Sequence, residues 1–379
     1  MSVVHRRLVT SAGILALAAP ALFAQTPPAG GPYKVIQTAR VGGEGGTDYI
    51  YADVVARRLY ITRGAVRADT VTGRPAVPAR ITIFDLETLA PAGEILTAPN
   101  SSGNGAVVDP KTGHGFTSSR PAITMFDAKT QQLIKSVPLD SAFTPDGIFY
   151  DEFSNRIYVG SHPTKDAIAI DPRDGTVTGK IDLGGVPEQT ASDGNGTVYF
   201  VLQDQPGSIA VVDTKTLKVT ARYPLGDHGR CNGLAMDVKN QILFAACSLD
   251  GSPAVQGQPA PAAKPVMVIL RAADGKVLAE LPLAGANDGA AFNPATMEAF
   301  TSHSNGTMTV IKETSPTSFE VSQNLQTMNG ARTLTLDTRT GRLFVMSVER
   351  EPAPAPTPGG RPQLGRAIPG SFTILVIGK

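Results

Sequence analysis

Tryptophan is absent from the 379 residues, cysteine occurs twice, histidine five times, and only 18% of the chain is charged. Each shortage excludes something. Without tryptophan the chain has neither the tryptophan-docking repeats of quinoprotein dehydrogenases nor the Trp-Asp dipeptide of intracellular WD40 repeats. There is no CxxCH to attach haem, no GxSxG nucleophile elbow and no DxDxDG calcium loop. The charge share falls below the usual value of about 25%. A net charge of +1 provides no field to gather nucleic acid.

What is plentiful is glycine (39) and proline (30), the residues of frequent turns. The first residues carry Arg6 and Arg7, an apolar run from Leu8 to Phe23, and Ala24 before Gln25. That is the layout of a secretory signal peptide. The run contains Pro20 and is shorter than the roughly 20 residues a spanning helix needs. Cleavage is expected after Ala24, with Ala21 as the second choice. The Arg pair also opens twin-arginine signals, but the residues after it match that pattern poorly, and no cysteine lies nearby to accept a lipid. Residues 1–24 therefore read as a signal, 25–32 as a linker, and the mature protein as periplasmic or secreted. The mature chain has no membrane span, and a monomer is expected.

Residues 145–185, PDGIFYDEFSNRIYVGSHPTKDAIAIDPRDGTVTGKIDLGG, hold four short alternating apolar segments separated by turn residues, which reads as four strands. The pattern recurs. An acidic or amide turn residue marks each copy: Asp53, Asp109, Asp151, Asp193, Asp237, Asn293 and Asp337. Successive markers are 42–44 residues apart, except for two intervals of 56. This is the period of a four-stranded propeller blade. The third strands end in Asp85, Asp127, Asp171 and Asp213, whose side chains are expected to bond their own backbone. The last copy stops at FTILVIGK, a third strand without a fourth, and the segment from Tyr33 supplies the missing one. The fold class is all-β: residues 33–379 form a single seven-bladed β-propeller of four-stranded blades, closed by the N-terminal strand completing the last blade. That leaves no open sheet edge. Insertions rich in proline and alanine at residues 65–79, 250–264 and 351–369 fall between second and third strands, hence on one face, and are expected to be flexible or extended.

Phrases such as RRLYITRG, NRIYVGSH and GRLFVMSV, with VGGEGGTDYIYAD at residues 41–53, resemble the YVTN-repeat, YncE-like family of secreted bacterial seven-bladed β-propellers. The likeness runs from about Tyr33 to the end. It implies the fold and leaves the activity to be argued from a site.

Five residues before each marker stands a polar residue: Asp48, Asn104, Asp146, Glu188, Asn232, Asp288 and Arg332. First strands of blades line the central channel, so these seven should ring its mouth on the face that carries the insertions. Gly105, Gly147, Gly233 and Gly289 follow four of them and would let backbone amides approach the opening; the plain alternative is a set of loop-end turns. Carboxylates gathered so closely raise one another's pKa unless a cation or Arg332 compensates. No cofactor is required, but Ca2+ or Mg2+ fits an oxygen ligand set drawn from Asp48, Asp146, Glu188 and Asp288. A rim of Arg63, Arg120, His162, Asp204, His303 and Glu349 marks the ends of second strands on the same face. His162 and His303 fall in blades 3 and 6, too far apart to hold one zinc together.

Cys231 and Cys247 flank a hairpin centred on Lys239, which would set Met236 opposite Ile242. In an exported protein the pair is expected to form a disulfide, with buried free thiols as the alternative. The resulting expectation is a binding or interaction module whose channel mouth takes a small molecule, a peptide or an envelope component. The second reading is a metal-assisted hydrolase or lyase acting on a lactone or similar ester, resembling lactonase propellers, although those usually have six blades.

Overall fold

The computed structural model describes residue 1 and residues 30–70, 73–99, 101–249, 264–354 and 365–379. The expected signal, apart from Met1, and residues 25–29 of the expected linker lie outside the described residues. Its 28 strands form seven antiparallel sheets of four, with no helix among the described residues. The protein is a seven-bladed β-propeller. The innermost strands of blades 1 to 7 are Ile50–Asp53, Ala106–Val108, Pro145–Asp151, Pro187–Ser192, Gly229–Asp237, Asn287–Asn293 and Leu334–Asp337. Each touches the next around the ring.

Every blade repeats one local recipe. An acidic or amide side chain at the end of the inner strand accepts the backbone N–H groups that follow: Asp53 Oδ1 takes Val55 and Ala56 at 3.0 and 2.8 Å, and Asn293 Oδ1 takes Ala295 at 3.0 Å. The residue that leads into the second strand then adopts a positive φ in all seven blades, at Arg57, Gly113, Asn155, Gly196, Gln241, Met297 and Gly341. The second and third strands are buried on both faces because alternate side chains feed different seams. Ile157 and Val159 pack with Phe116 and Met125 of blade 2, whereas Tyr158 between them packs with Phe200 and Val212 of blade 4. Seven such apolar clusters fill the seven seams between blades.

The ring closes as the pattern requires. The first strand, Lys34–Arg40, pairs antiparallel with the last, Thr373–Gly378, as the outer strand of blade 7. Tyr33 locks the join: its backbone exchanges hydrogen bonds with the Gln323 side chain at 3.1 and 2.8 Å. The Tyr33 hydroxyl donates to Glu298 at 2.5 Å, and Lys379 pairs with the same carboxylate at 3.2 Å.

Two expectations change. The insertion at residues 65–79 continues the blade instead of trailing from it, with Val66 bridged to Val77 and Asp69 to Arg74. The base of the last insertion is likewise paired, Glu351 N–H to the Arg366 carbonyl at 2.9 Å and Ile368 N–H to the Glu349 carbonyl at 2.8 Å. The two strands that flank these two insertions leave the blade antiparallel and adjacent, so their ladder extends into them despite the composition. Residues 71–72, 250–263 and 355–364 of these insertions lie outside the described residues. The second change is one of register. Met236 faces Leu243, not Ile242, and Cys231 comes opposite Cys247 only because Asn232 bulges out between Cys231 and Gly233. The disulfide itself forms.

Candidate functional site

The bulge at Asn232 is one of four. In blade 3 the pairing steps from Pro145–Ser161 to Ile148–Val159, leaving Asp146 and Gly147 opposite Gly160 alone. In blade 4 Glu188 and Gln189 stand opposite Val201, and in blade 6 Asp288 is the extra residue between Asn287 and Gly289. A bulge breaks the alternation of a strand and re-aims one side chain. Here it turns four successive blades so that each presents a polar group at the mouth. In blades 1, 2 and 7 regular pairing starts later, and Asp48, Asn104 and Arg332 are held by other bonds. Thr333 Oγ1 donates to the Asp48 carbonyl at 2.7 Å, Tyr49 N–H to the Asn104 carbonyl at 2.9 Å, and Ser302 Oγ to the Arg332 carbonyl at 2.6 Å.

Side-chain contacts join all seven sequence-derived residues into two groups. Arg332 lies between Asp48 at 3.0 Å and Asp288 at 2.9 Å, and Asn232 donates to Asp288 at 2.9 Å. Across the mouth, Asn104 donates to Asp146 at 2.8 Å. His162 Nε2 stands 2.5 Å from Asp146 Oδ2 and 3.5 Å from Glu188 Oε1. Glu188 also accepts Gln203 Nε2 at 2.6 Å and the Tyr49 hydroxyl at 3.2 Å. The four acids proposed as one oxygen ligand set are thus split, two with Arg332 and two with His162.

Burial and repulsion between carboxylates raise Asp48, Glu188 and Asp288. Burial, then Asp288, pushes Asp48 up to about 6. Burial, then Asp146 and Asp288, holds Glu188 well above the ordinary carboxylate range. Burial raises Asp288 as well, against the pull of Arg332. Burial works against the Arg332 cation too, yet Asp288 and Asp48 keep it above its ordinary value.

The glycines beside these residues do not open the mouth. A methyl group on Gly147 would meet the Glu188 carbonyl at 3.0 Å, and one on Gly233 the backbone of Gly289 at 3.0 Å. They let neighbouring inner strands crowd together, and the Gly105 and Gly233 N–H groups are spent on Ser118 Oγ and Asn287 Oδ1. Just inside the ring, Gln189 of blade 4 accepts the N–H groups of Leu234 and Ala290 and donates to the Ala290 carbonyl, tying three blades together.

The rim is corrected in three places. His162 belongs to the ring itself. His303 is fully buried against Thr307 at 2.9 Å, with burial lowering its pKa to about 4, and is not a solvent-facing rim residue. Arg63 is 1% exposed, its guanidinium 3.4 Å over the Phe372 ring and donating to the Gly42 carbonyl at 3.0 Å. Of the remainder, Arg120 is exposed, Asp204 accepts Lys165 at 3.3 Å and Glu349 lies 3.6 Å from Arg40. Tyr49, Gln189 and Gln203 were missed by the sequence reading. No motif marks them in the sequence, since their place at the mouth depends on pairing between strands and blades.

A cavity of about 260 Å³ opens beside the Arg332 group, lined by Arg230, Asn232, Ser248, Asp288, Ser304 and Arg332. Asn232 Oδ1 is buried there without a hydrogen-bond partner. A second hollow of about 300 Å³ lies on the opposite face between blades 1 and 2, bordered by Asp53, Arg58, Val108 and Gln131.

No protein-family model matches the chain, and no curated protein matches it. Among solved structures it is similar to hydrazine synthase of Kuenenia stuttgartiensis, with a TM-score of 0.63 and 14% identity over 80% of this chain and 92% of that one. It is similar also to the Pan2 WD40 domain of Neurospora crassa, with a TM-score of 0.63 and 12% identity over 91% and 95% of the two chains. Likeness at that identity carries the architecture and none of the chemistry: the chain has a WD40-like seven-bladed propeller fold.

Proposed function

We propose that the protein is an exported binding module of the YVTN-repeat, YncE-like kind whose channel mouth holds a small polar molecule. The observation that carries this reading is the cavity beside Arg332. It is walled by charged and amide groups, and the buried Asn232 Oδ1 lacks a partner. An unpaired buried acceptor costs about 1–3 kcal/mol, which a ligand hydroxyl or N–H offsets. At about 260 Å³ the space falls below the roughly 300–1,000 Å³ of drug-sized sites, so it favours a small molecule over a peptide or an envelope component. Export rests on Arg6, Arg7, the apolar run from Leu8 to Phe23 and the small residue Ala24, and intact-mass measurement of the mature protein, expected to begin at Gln25, checks it.

The test is a thermal-shift and calorimetric screen of small polyols, carboxylates and amino acids. Asn232→Ala should weaken any hit about tenfold, the equivalent of ~1.4 kcal/mol. Hits that bind Asn232→Ala and Arg332→Ala like the parent would remove the mouth as their site. A second reading, metal-assisted ester or lactone hydrolysis, is favoured by the meeting of Asp146, His162 and Glu188. Turnover of a lactone panel that chelation abolishes would establish it over simple binding.

A further inference from the structure

The geometry points to a divalent-cation site of the manganese, cobalt or zinc class, formed by Asp146 and His162 of blade 3 and Glu188 of blade 4. One donor atom from each lies within 4.8 Å of the others. A cation with bonds of about 2.0–2.2 Å to each fits that triangle with a small side-chain adjustment, His162 Nε2 and Asp146 Oδ2 parting from their 2.5 Å contact.

The donors are held for such a role from outside. Asn104 occupies Asp146 Oδ1, while Gln203 and Tyr49 occupy Glu188 Oε1 and Oε2. Partners of this kind orient ligating side chains and are a regular part of metal sites. Asp146 Oδ2 and Glu188 Oε1, the latter also accepting Gln203, face His162 Nε2 at 2.5 and 3.5 Å. His162 Nε2 is buried without a hydrogen-bond partner although Asp146 Oδ2 is only 2.5 Å away, so the contact lacks hydrogen-bond geometry. Both carboxylates are about nine-tenths buried. Among the described residues no arginine pairs with either of them, since Arg332 is engaged by Asp48 and Asp288. Two buried carboxylates therefore meet one imidazole with neutral donors from Asn104, Gln203 and Tyr49 beside them, and a doubly charged ion between the three would balance their charge.

The imidazole decides the class of ion. Ca2+ and Mg2+ take oxygen ligands, whereas a nitrogen donor with two carboxylates suits borderline divalent metals. This replaces the four-acid Ca2+ or Mg2+ set expected from sequence. Three protein ligands leave coordination positions open, and the His162 side chain is 28% exposed. The site is separate from the ligand cavity, which belongs to blades 5 to 7, so either can fail without the other.

The experiment is metal titration of chelator-treated full-length mature protein by calorimetry with Zn2+, Mn2+ and Ca2+, and by visible absorption with Co2+. One equivalent of Zn2+ or Co2+ is expected, with d–d bands of a low-coordinate site, and Zn2+ at least about tenfold tighter than Ca2+. His162→Gln and Glu188→Gln should each weaken it by at least about tenfold, and Asn104→Ala by a smaller factor. His114→Gln controls for surface histidine binding and should leave the titration unchanged. Circular dichroism melts confirm that each variant is folded. Three results would overturn the site: no stoichiometric binding, which leaves an Asp–His contact only; Ca2+ binding as tightly as Zn2+; or folded His162→Gln binding Zn2+ like the parent. Repeating the small-molecule screen with and without metal keeps this outcome distinct from that of the ligand cavity.

Discussion

His162 and His303 occupy nearly the same place in their repeats, at the ends of the second strands of blades 3 and 6. Their surroundings separate them. His162 meets two carboxylates, whereas His303 is sealed in with burial lowering its pKa to about 4 from an ordinary 6.5. In the window between those values the unfolded chain binds the proton and the folded one does not. The contribution of His303 is thus complete above about pH 6.5 and lost as the pH falls toward 4, by at most about 3 kcal/mol. Glu313 behaves oppositely. Burial pushes it up to about 7 from 4.5, so its contribution is complete below pH 4.5 and lost as the pH rises through 7. The two slopes oppose each other over the window they share, so these two groups together should move the urea midpoint little between pH 4.5 and 6.5, and Glu313→Gln should uncover the rise in stability from pH 4 to 6.5 that His303 contributes. The seven ring positions were legible because they stand at a constant distance from a repeating turn residue. The joining of His162 to Asp146 and Glu188 was not, because it depends on side-chain reach between blades.

At the level of the element, the blades were readable from Asp53 and its equivalents, whose carboxylates or amides build the turn from within a few residues. Local chemistry of that kind is visible in a sequence. The bulges were harder to see, because Asn232 and Asp288 look like ordinary strand residues until the pairing partner is known. The same blindness made residues 65–79 flexible or extended, where composition argued against packing and the ladder between flanking strands prevailed. The positive φ shared by all seven inner hairpins gives a direct check. Gly113 has a φ of 76° and nothing within 4 Å of a would-be Cβ, so Gly113→Ala adds backbone strain without a clash. It should cost about 1–2 kcal/mol in a urea melt, and a neutral result would mean that the turn relaxes freely.

For the whole molecule, closure is the feature that the two ends of the sequence announced, since a third strand without a fourth needs a partner. The structure adds the lock at Tyr33, which reaches Gln323, Glu298 and, through Glu298, Lys379. Tyr33→Phe should lower stability by about 1–2 kcal/mol, because it leaves Glu298 short of a donor. Removal of residues 30–40 should cost far more, because it bares the Thr373–Gly378 edge; size-exclusion chromatography would show that as self-association. A ring held shut at its edge keeps the inner strands in fixed relation, and with them the polar mouth on which the functional reading depends. The most direct measurement is a crystallographic soak of the mature protein with small polyol and carboxylate fragments. The account predicts fragments between Arg332, Asn232 and Ser248, with Asn232 Oδ1 accepting a hydrogen bond. Fragments confined to the hollow near Asp53 and Gln131 on the opposite face, or a mouth that stays free of them at saturating concentration, would contradict it.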